Sequence, residues 1–245
     1  MKGANHKFEC QVKRNIIGLG NDHRLRALSR LWIEKSAKHR YCYNFKWMDR
    51  PVIQFPQDLL ALEEIIWRVK PEIIIETGIA RGGSLVFYAS LLEMLGGKGR
   101  VIGVDIDIRN HNRKAIEKNR FSHRITMVVG SSIEPKVAER IRKLAQGKKT
   151  IVCLDSLHTH NHTLRELELY SPLVKKGGYI VVFDTVIQDM PAKFFPDRPW
   201  DKGNNPKTAV REFLKTTSRF EIDKDIENKL LITSAPDGYL KCVKD

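Results

Sequence analysis

Three side chains near two strand ends carry the most chemistry in this sequence. Ile151-Val-Cys-Leu-Asp155 and Val181-Val-Phe-Asp184 each read as an apolar strand closed by a carboxylate, and His158 follows Asp155 by three residues. If the two strands are neighbours, Asp155 and Asp184 share one hard cation such as Mg2+, with waters and a substrate hydroxyl completing its coordination. Such a cation lowers the hydroxyl's pKa and orients its oxygen, and an imidazole beside it suits a general base. Asp155 and His158 are therefore the expected catalytic pair. His160 and His162 continue the alternation. Their H-x-H-x-H spacing matches neither a helical i, i+4 pair nor a Cys/His framework, so they read as helix-cap or loop residues.

A second constellation lies upstream, in Glu72-Ile-Ile-Ile-Glu-Thr-Gly-Ile-Ala-Arg-Gly-Gly-Ser84. An apolar strand runs into a turn where Gly78, Ala80, Gly82 and Gly83 lack bulk, so the backbone can bend sharply and touch a ligand. The next apolar run, Arg100-Val-Ile-Gly-Val-Asp105, ends in a carboxylate suited to a ribose. The glycines read G-x-A-x-G-G and not the dinucleotide G-x-G-x-x-G, and Glu76 stands two residues before the first of them. A carboxylate there repels pyrophosphate but suits S-adenosyl-L-methionine, which carries an ammonium and a sulfonium and no phosphate. The expected methyl-donor site is Glu76, Thr77, Gly78, Ala80, Gly82, Ser84, Asp105 and Ile106, with Asp155 at its far end. After a third strand, Ser131 and Ser132 stand where an adenine could be gripped, although Gly-Ser-Ser is equally a plain helix N-cap.

The elements that must position these residues alternate. Strand patterns at 72–77, 101–105, 125–129, 150–155 and 179–184 are separated by helix-like segments at 84–95, 109–119, 134–145 and 161–170. This is a Rossmann-like, doubly wound, mostly parallel α/β sheet, whose ligands belong at the carboxyl ends of the strands. A connector at Pro51–Pro56 and a helix from Asp58 to Lys70 precede it. A long loop at 185–205 follows, either a lid carrying Phe194, Phe195 and Trp200 over the acceptor or an excursion anchored by those aromatics. A helix at 207–216 and a strand pair at 219–222 and 229–233 then bring the sheet to seven strands.

The chain has 245 residues and a formal charge of +14, unevenly spread. Residues 1–50 hold 12 basic and 4 acidic side chains, with Leu25, Leu28, Leu31, Trp32 and Ile33 at near-helical spacing. This predicts a basic helical N-terminal extension before a catalytic domain at 51–245. The extension suits an anionic acceptor, a membrane surface or packing within a homo-oligomer, and no nucleic-acid motif accompanies its charge. Cys10, Cys42, Cys153 and Cys242 have neither metal nor redox spacing. With no apolar leader after Met1-Lys2 and only strand-length apolar runs, the expectation is a cytoplasmic protein with reduced thiols.

Read together, the segments resemble the cephalosporin hydroxylase and rhamnosyl O-methyltransferase family. The resemblance runs through I-I-E-T-G-x-A-x-G-G-S (74–84), G-V-D-I-D (103–107), G-S-S (130–132) and D-S-x-H-T (155–159). It continues through E-L-x-L-Y-x-P-L-V (166–174), V-V-x-D-T (181–185) and D-R-P-W-x-K-G-N-N-P (197–206). It implies a class I S-adenosylmethionine-dependent O-methyltransferase acting on a sugar or other small-molecule hydroxyl, with Glu76, Gly78 and Asp105 at the donor, Asp155 and Asp184 at Mg2+ and His158 as base. Relatives carry an acidic pair at the fifth strand's end, whereas this chain has Phe183 before Asp184, which makes Asp189 a candidate additional ligand. A metal-dependent hydroxylase and a non-enzymatic basic binding module are the rival readings. Neither an iron triad nor a binding motif supports them.

Overall fold

The computed structural model describes the backbone of residues 2–245 and the side chains from residue 6 onward. Two helices lead, α1 (Lys2–Asn21) and α2 (His23–Ala37), broken at Asp22, whose carboxylate accepts the Leu25 amide at 2.9 Å and caps α2. A 3-10 turn at Tyr41–Asn44 and a small hairpin of β1 (Phe45–Trp47) and β2 (Arg50–Val52) follow. α3 (Pro56–Val69) starts on a proline and ends with Lys70 left-handed before Pro71, which cannot continue a helix.

Strict alternation then builds the domain. It runs β3 (Ile73–Thr77), α4 (Gly83–Leu95), β4 (Arg100–Asp105), α5 (Asn110–Glu117), β5 (Ile125–Val129), α6 (Pro135–Ala145), β6 (Thr150–Leu154), α7 (His160–Tyr170) and β7 (Tyr179–Val182). α8 (Pro206–Thr216), β8 (Phe220–Ile222), α9 (Lys224–Leu230) and β9 (Tyr239–Cys242) close the chain. The sheet order is β5-β4-β3-β6-β7-β9-β8, with β9 alone running against its neighbours. This is the expected Rossmann-like, mostly parallel seven-stranded sheet.

One expected strand is not formed. Residues 229–233 comprise the end of α9 and an irregular stretch, and the partner of β8 is β9. The cause is the fully buried Asp58 carboxylate, which takes the Thr233 hydroxyl, the Ser234 amide at 2.8 Å and the Tyr239 hydroxyl at 2.6 Å. A segment that turns its hydroxyls and an amide inward to a buried carboxyl is not free to pair as a strand.

Alternate residues of each strand feed two cores. Ile74, Val101, Ile151, Cys153 and Val181 pack under α3, α4 and α5, whereas Ile73, Ile75, Ile102, Val152, Leu154, Ile180 and Val182 pack under α6, α7 and α8. The strands therefore read as continuous apolar runs, because both faces are covered.

Backbone bonds carry the sheet past its strand ends. The Asp155 amide donates to Thr77 O at 2.9 Å, Gly78 N to Val104 O at 2.7 Å, Gly130 N to Asp105 O at 2.9 Å and Phe183 N to Leu154 O at 3.0 Å. These bonds bring Gly78, Asp105, Asp155 and Asp184 to one edge, beside the point where the order reverses around β3. None of the described helices is long and apolar enough to cross a membrane.

Candidate active site

The turn after β3 is pressed against its surroundings. Gly78 is at φ +89°, and a Cβ on it would meet Asp155 O at 2.0 Å; one on Gly83 would meet Pro51 O at 2.2 Å. Only glycine permits this fit of turn against β6 and the hairpin. Asp105 fixes the turn from the other side, its Oδ2 accepting Ile79 N at 2.8 Å and Ala80 N at 3.2 Å while Oδ1 accepts Asp107 N at 3.1 Å. The expected ribose ligand is thus also the carboxylate that shapes the donor loop.

Glu76 lies fully buried beneath the turn. Its Oε2 accepts the Ser84 hydroxyl at 2.6 Å, whereas its Oε1, like Thr77 Oγ1, has no hydrogen-bond partner among the described residues. Burial pushes its carboxyl up to about 8, against the pull of the Ser84 bond. An orphaned carboxylate oxygen at the base of a cleft is what a cationic ligand group would satisfy. Above it, Pro51, Ile53, Gln54, Ala80, Arg81, Ser84 and Asp155 line a cleft that continues into a cavity of about 300 Å³ between Ile53, Ala80, Arg81, Asp105, Asp107, Arg109 and Asn112. Ile106, next to Asp105, is 73% exposed.

Asp155, His158 and Asp184 each present a ligand atom within 4.8 Å of the others. Asp184 is left-handed at φ 55°, a conformation aspartate tolerates, immediately past the end of β7. Its Oδ2 lies 3.2 Å from His158 Nε2, and Gln54 Nε2 donates to Asp155 Oδ2 at 2.9 Å. Burial and the facing Asp184 carboxylate hold the Asp155 carboxyl well above the usual carboxylate range. Two facing carboxylates, answered among the described residues only by an amide and an imidazole, form a donor set that fits a divalent cation.

The remaining candidates go elsewhere. Asp189 does not join the cluster: its Oδ2 pairs with the nearly buried Lys207 ammonium at 2.8 Å, which also reaches Asp237 at 3.2 Å. Phe183 is fully buried in the core. Ser132 Oγ donates to Glu166 at 2.5 Å, Ser156 to the same Glu166 oxygen at 2.8 Å, and His162 Nε2 lies 3.1 Å from Ser132 Oγ, so this serine is bound into a buried network on α7. Among the described residues, Ser131 accepts Glu134 N at its backbone oxygen and has no side-chain partner. His160 Nδ1 bonds Thr208 Oγ1 at 2.8 Å and its Nε2 lies 3.1 Å from Glu212.

The loop at 185–205 is both anchored and site-facing. Phe194 and Phe195 pack with Ile33, Tyr41, Cys42, Phe55, Val186 and Met190, tying the loop to α2. Trp200 instead stands edge-on to His158, ring centroids 4.9 Å apart. Sequence reasoning missed Gln54, Ile53, Arg50 and Asn112. Arg50 donates to Arg81 O and Asn112 Nδ2 to Ala80 O at 2.9 Å, bracing the donor turn from the hairpin and from α5. The connector's prolines signalled an extended segment but not its position over the cleft.

Sheet order, donor turn and acidic edge define a class I methyltransferase. The chain matches the rhamnosyl O-methyltransferase/CmcI family over residues 39–243, and it belongs to that family. It is an S-adenosyl-L-methionine-dependent O-methyltransferase. The rhamnosyl O-methyltransferase of Mycobacterium tuberculosis (strain ATCC 25618 / H37Rv) is 32% identical over 187 residues, covering 75% of this chain and 72% of that protein. That of Mycobacterium leprae (strain TN) is 28% identical over 199 residues, covering 79% and 81%. The fold matches a solved structure of CmcI with Mg and SAM at a TM-score of 0.58 and 19% identity, over 82% of this chain and 77% of that one. It also matches an O-methyltransferase from Bacillus cereus in complex with SAH at 0.51 and 16%, over 77% and 80%.

Proposed function

We propose that this enzyme methylates a hydroxyl of a sugar or of a sugar-bearing small molecule, with Mg2+ held by Asp155 and Asp184. The observation that carries the reading is the convergence of Asp155, His158 and Asp184 within 4.8 Å, directly against the donor turn through the Gly78–Asp155 contact. That the mycobacterial relatives are rhamnosyl O-methyltransferases supports the sugar. When bound, the cation supplies a positive charge that acidifies and orients the acceptor hydroxyl.

The chain's own groups do the rest. Glu76 Oε1 meets the ammonium end of the donor and Asp105 the ribose, which fixes the methyl group toward the Asp155 end of the cleft. Asp184 Oδ2 holds His158 by Nε2–H, leaving Nδ1 to take the acceptor's proton as its oxygen attacks the methyl carbon and the carbon–sulfur bond breaks. The edge of Trp200 fixes the imidazole plane and keeps water off it. A second role for His158 follows from its place in the same cluster, as a third metal ligand. A cytoplasmic setting is supported by four free thiols without metal or redox spacing. Exposed Phe8, Ile17, Leu28 and Leu31 on α1 and α2 support self-association through the extension. Methyl transfer from labelled S-adenosyl-L-methionine to a panel of rhamnosides, other glycosides and non-sugar phenols tests the acceptor class.

A further inference from the structure

Two segments near the Asp155, His158 and Asp184 cluster each carry an arginine laid over an aromatic ring. On the loop, the Arg198 guanidinium lies over the Trp200 ring, 5.1 Å from its centroid, and Trp200 itself abuts His158. On the N-terminal segment, the Arg40 guanidinium lies over the Tyr43 ring at 6.0 Å. Both arginines are exposed, and neither has a carboxylate partner among the described residues, where Arg26, Arg68, Arg124, Arg142 and Arg165 do.

The two segments are held together by packing. Tyr41 stacks edge-on to Trp32 at 4.7 Å and to Phe45 at 5.0 Å, and with Cys42 it joins Phe194 and Phe195 in one small core. The segment at 40–43 and the loop at 194–200 are therefore one unit. Electrostatics agrees that the groups share a space beside the cluster. Burial raises the Tyr43 hydroxyl, Cys42 raises it further, Arg198 and Arg40 pull it down, and Asp184 opposes them. Burial and then Asp184 push the Cys42 thiol up to about 12.

An aromatic ring beside a hydroxyl-binding cluster suits the apolar face of a sugar, and a guanidinium held planar over such a ring keeps its N–H fork aimed outward. A fork of that kind recognises phosphate or carboxylate in two bonds. We propose that Arg40, Tyr43, Arg198 and Trp200 form an acceptor subsite for a sugar bearing an anionic group, phosphate or carboxylate, next to the hydroxyl to be methylated. This rests on the sugar-methylating function proposed above and narrows it to charged acceptors. It also gives a use to the excess positive charge of the first 50 residues, which raises the local concentration of an anion.

The test uses the full chain with S-adenosylhomocysteine and Mg2+, titrated calorimetrically with glucose 1-phosphate, glucuronate and methyl α-rhamnoside. At least one anionic sugar should bind about tenfold or more tighter than the neutral one, and which of the two does so separates a phosphate from a carboxylate preference. An Arg40→Met/Arg198→Met double variant should remove that preference while S-adenosylhomocysteine affinity is kept, and Arg198→Lys should recover only part of it, since a lysine lacks the fork. Equal binding of all three sugars, no binding of either anionic one, or a preference that survives in the double variant overturns the subsite. Methyl transfer to a neutral rhamnoside with no anion preference would sink this inference and leave the sugar reading standing. Transfer to no sugar at all would sink both.

Discussion

Gly78 lies so close beneath Asp155 that a Cβ on it would come within 2.0 Å of the Asp155 carbonyl oxygen. The glycine turn and the acidic edge are thereby one rigid object, since the turn cannot shift without moving the strand end that carries Asp155. Gly78→Ala combines a left-handed backbone at φ +89° with that collision. It should cost roughly 2–4 kcal/mol of stability and abolish S-adenosylhomocysteine binding in whatever fraction stays folded. Thermal unfolding with and without the ligand checks this; a variant of unchanged melting temperature and affinity would mean the turn is not pinned.

Glu76 should link both stability and donor binding to pH. Its carboxyl is pushed from an ordinary 4.5 up to about 8 by burial, so between those values the folded chain holds a proton the unfolded chain has shed. The sign follows: stability is greatest below the lower value, falls as pH rises by up to ~1.4 kcal/mol per unit, and levels off past the upper one. A cationic donor stabilises the carboxylate, so binding near neutral pH should release a proton. Calorimetry in buffers of different ionisation enthalpy counts that proton, and Glu76→Gln should reduce the count to zero.

Most of this was legible because the strands are buried on both faces and the motif residues sit at their ends. Strand-end spacing pairs Asp155 with Asp184 and sets His158 three residues after Asp155 as a base, and the structure brings these three side chains within 4.8 Å of one another. What sequence could not supply was contact across long separations. Gln54 reaches Asp155 and Arg50 braces the donor turn from a hairpin whose three-residue strands carry little pattern. The apolar run at 229–233 looked like a strand because nothing local reveals that Thr233 and Ser234 serve Asp58, 175 and 176 residues away. Phe183 before Asp184 makes Asp189 a candidate ligand in the sequence, and nothing local there reveals that Lys207 is buried against it.

The two roles open to His158 separate kinetically. As a base held by Asp184, its replacement by alanine should lower kcat 10²- to 10⁴-fold, the usual range for proton transfer, with the Mg2+ activation constant unchanged. As a third ligand, the activation constant should rise instead. Asp184→Asn should impair both under either role, because it touches imidazole and cluster alike.

Truncation should divide the N-terminal region. Removing residues 1–22 takes away α1, which packs on α9, and leaves the seat of the loop intact. Acceptor turnover should survive. Removing residues 1–44 also takes Ile33, Tyr41 and Cys42 from beneath Phe194 and Phe195, so Trp200 loses its support and acceptor turnover should fall at least tenfold while S-adenosylhomocysteine still binds. Calorimetry and initial rates on the two truncations, compared side by side, check this; equal rates would show that the extension does not hold the loop.

The most direct measurement is product analysis after incubating the full chain with methyl-labelled S-adenosyl-L-methionine, Mg2+ and glycoside acceptors, with and without chelator. The site built by Glu76, Asp155, His158 and Asp184 predicts label on a sugar oxygen, lost in excess chelator, restored by Mg2+ better than by Zn2+ and absent from an Asp155→Asn variant. Label transferred at full rate in chelator, or carried only to acceptors without a sugar, would contradict it.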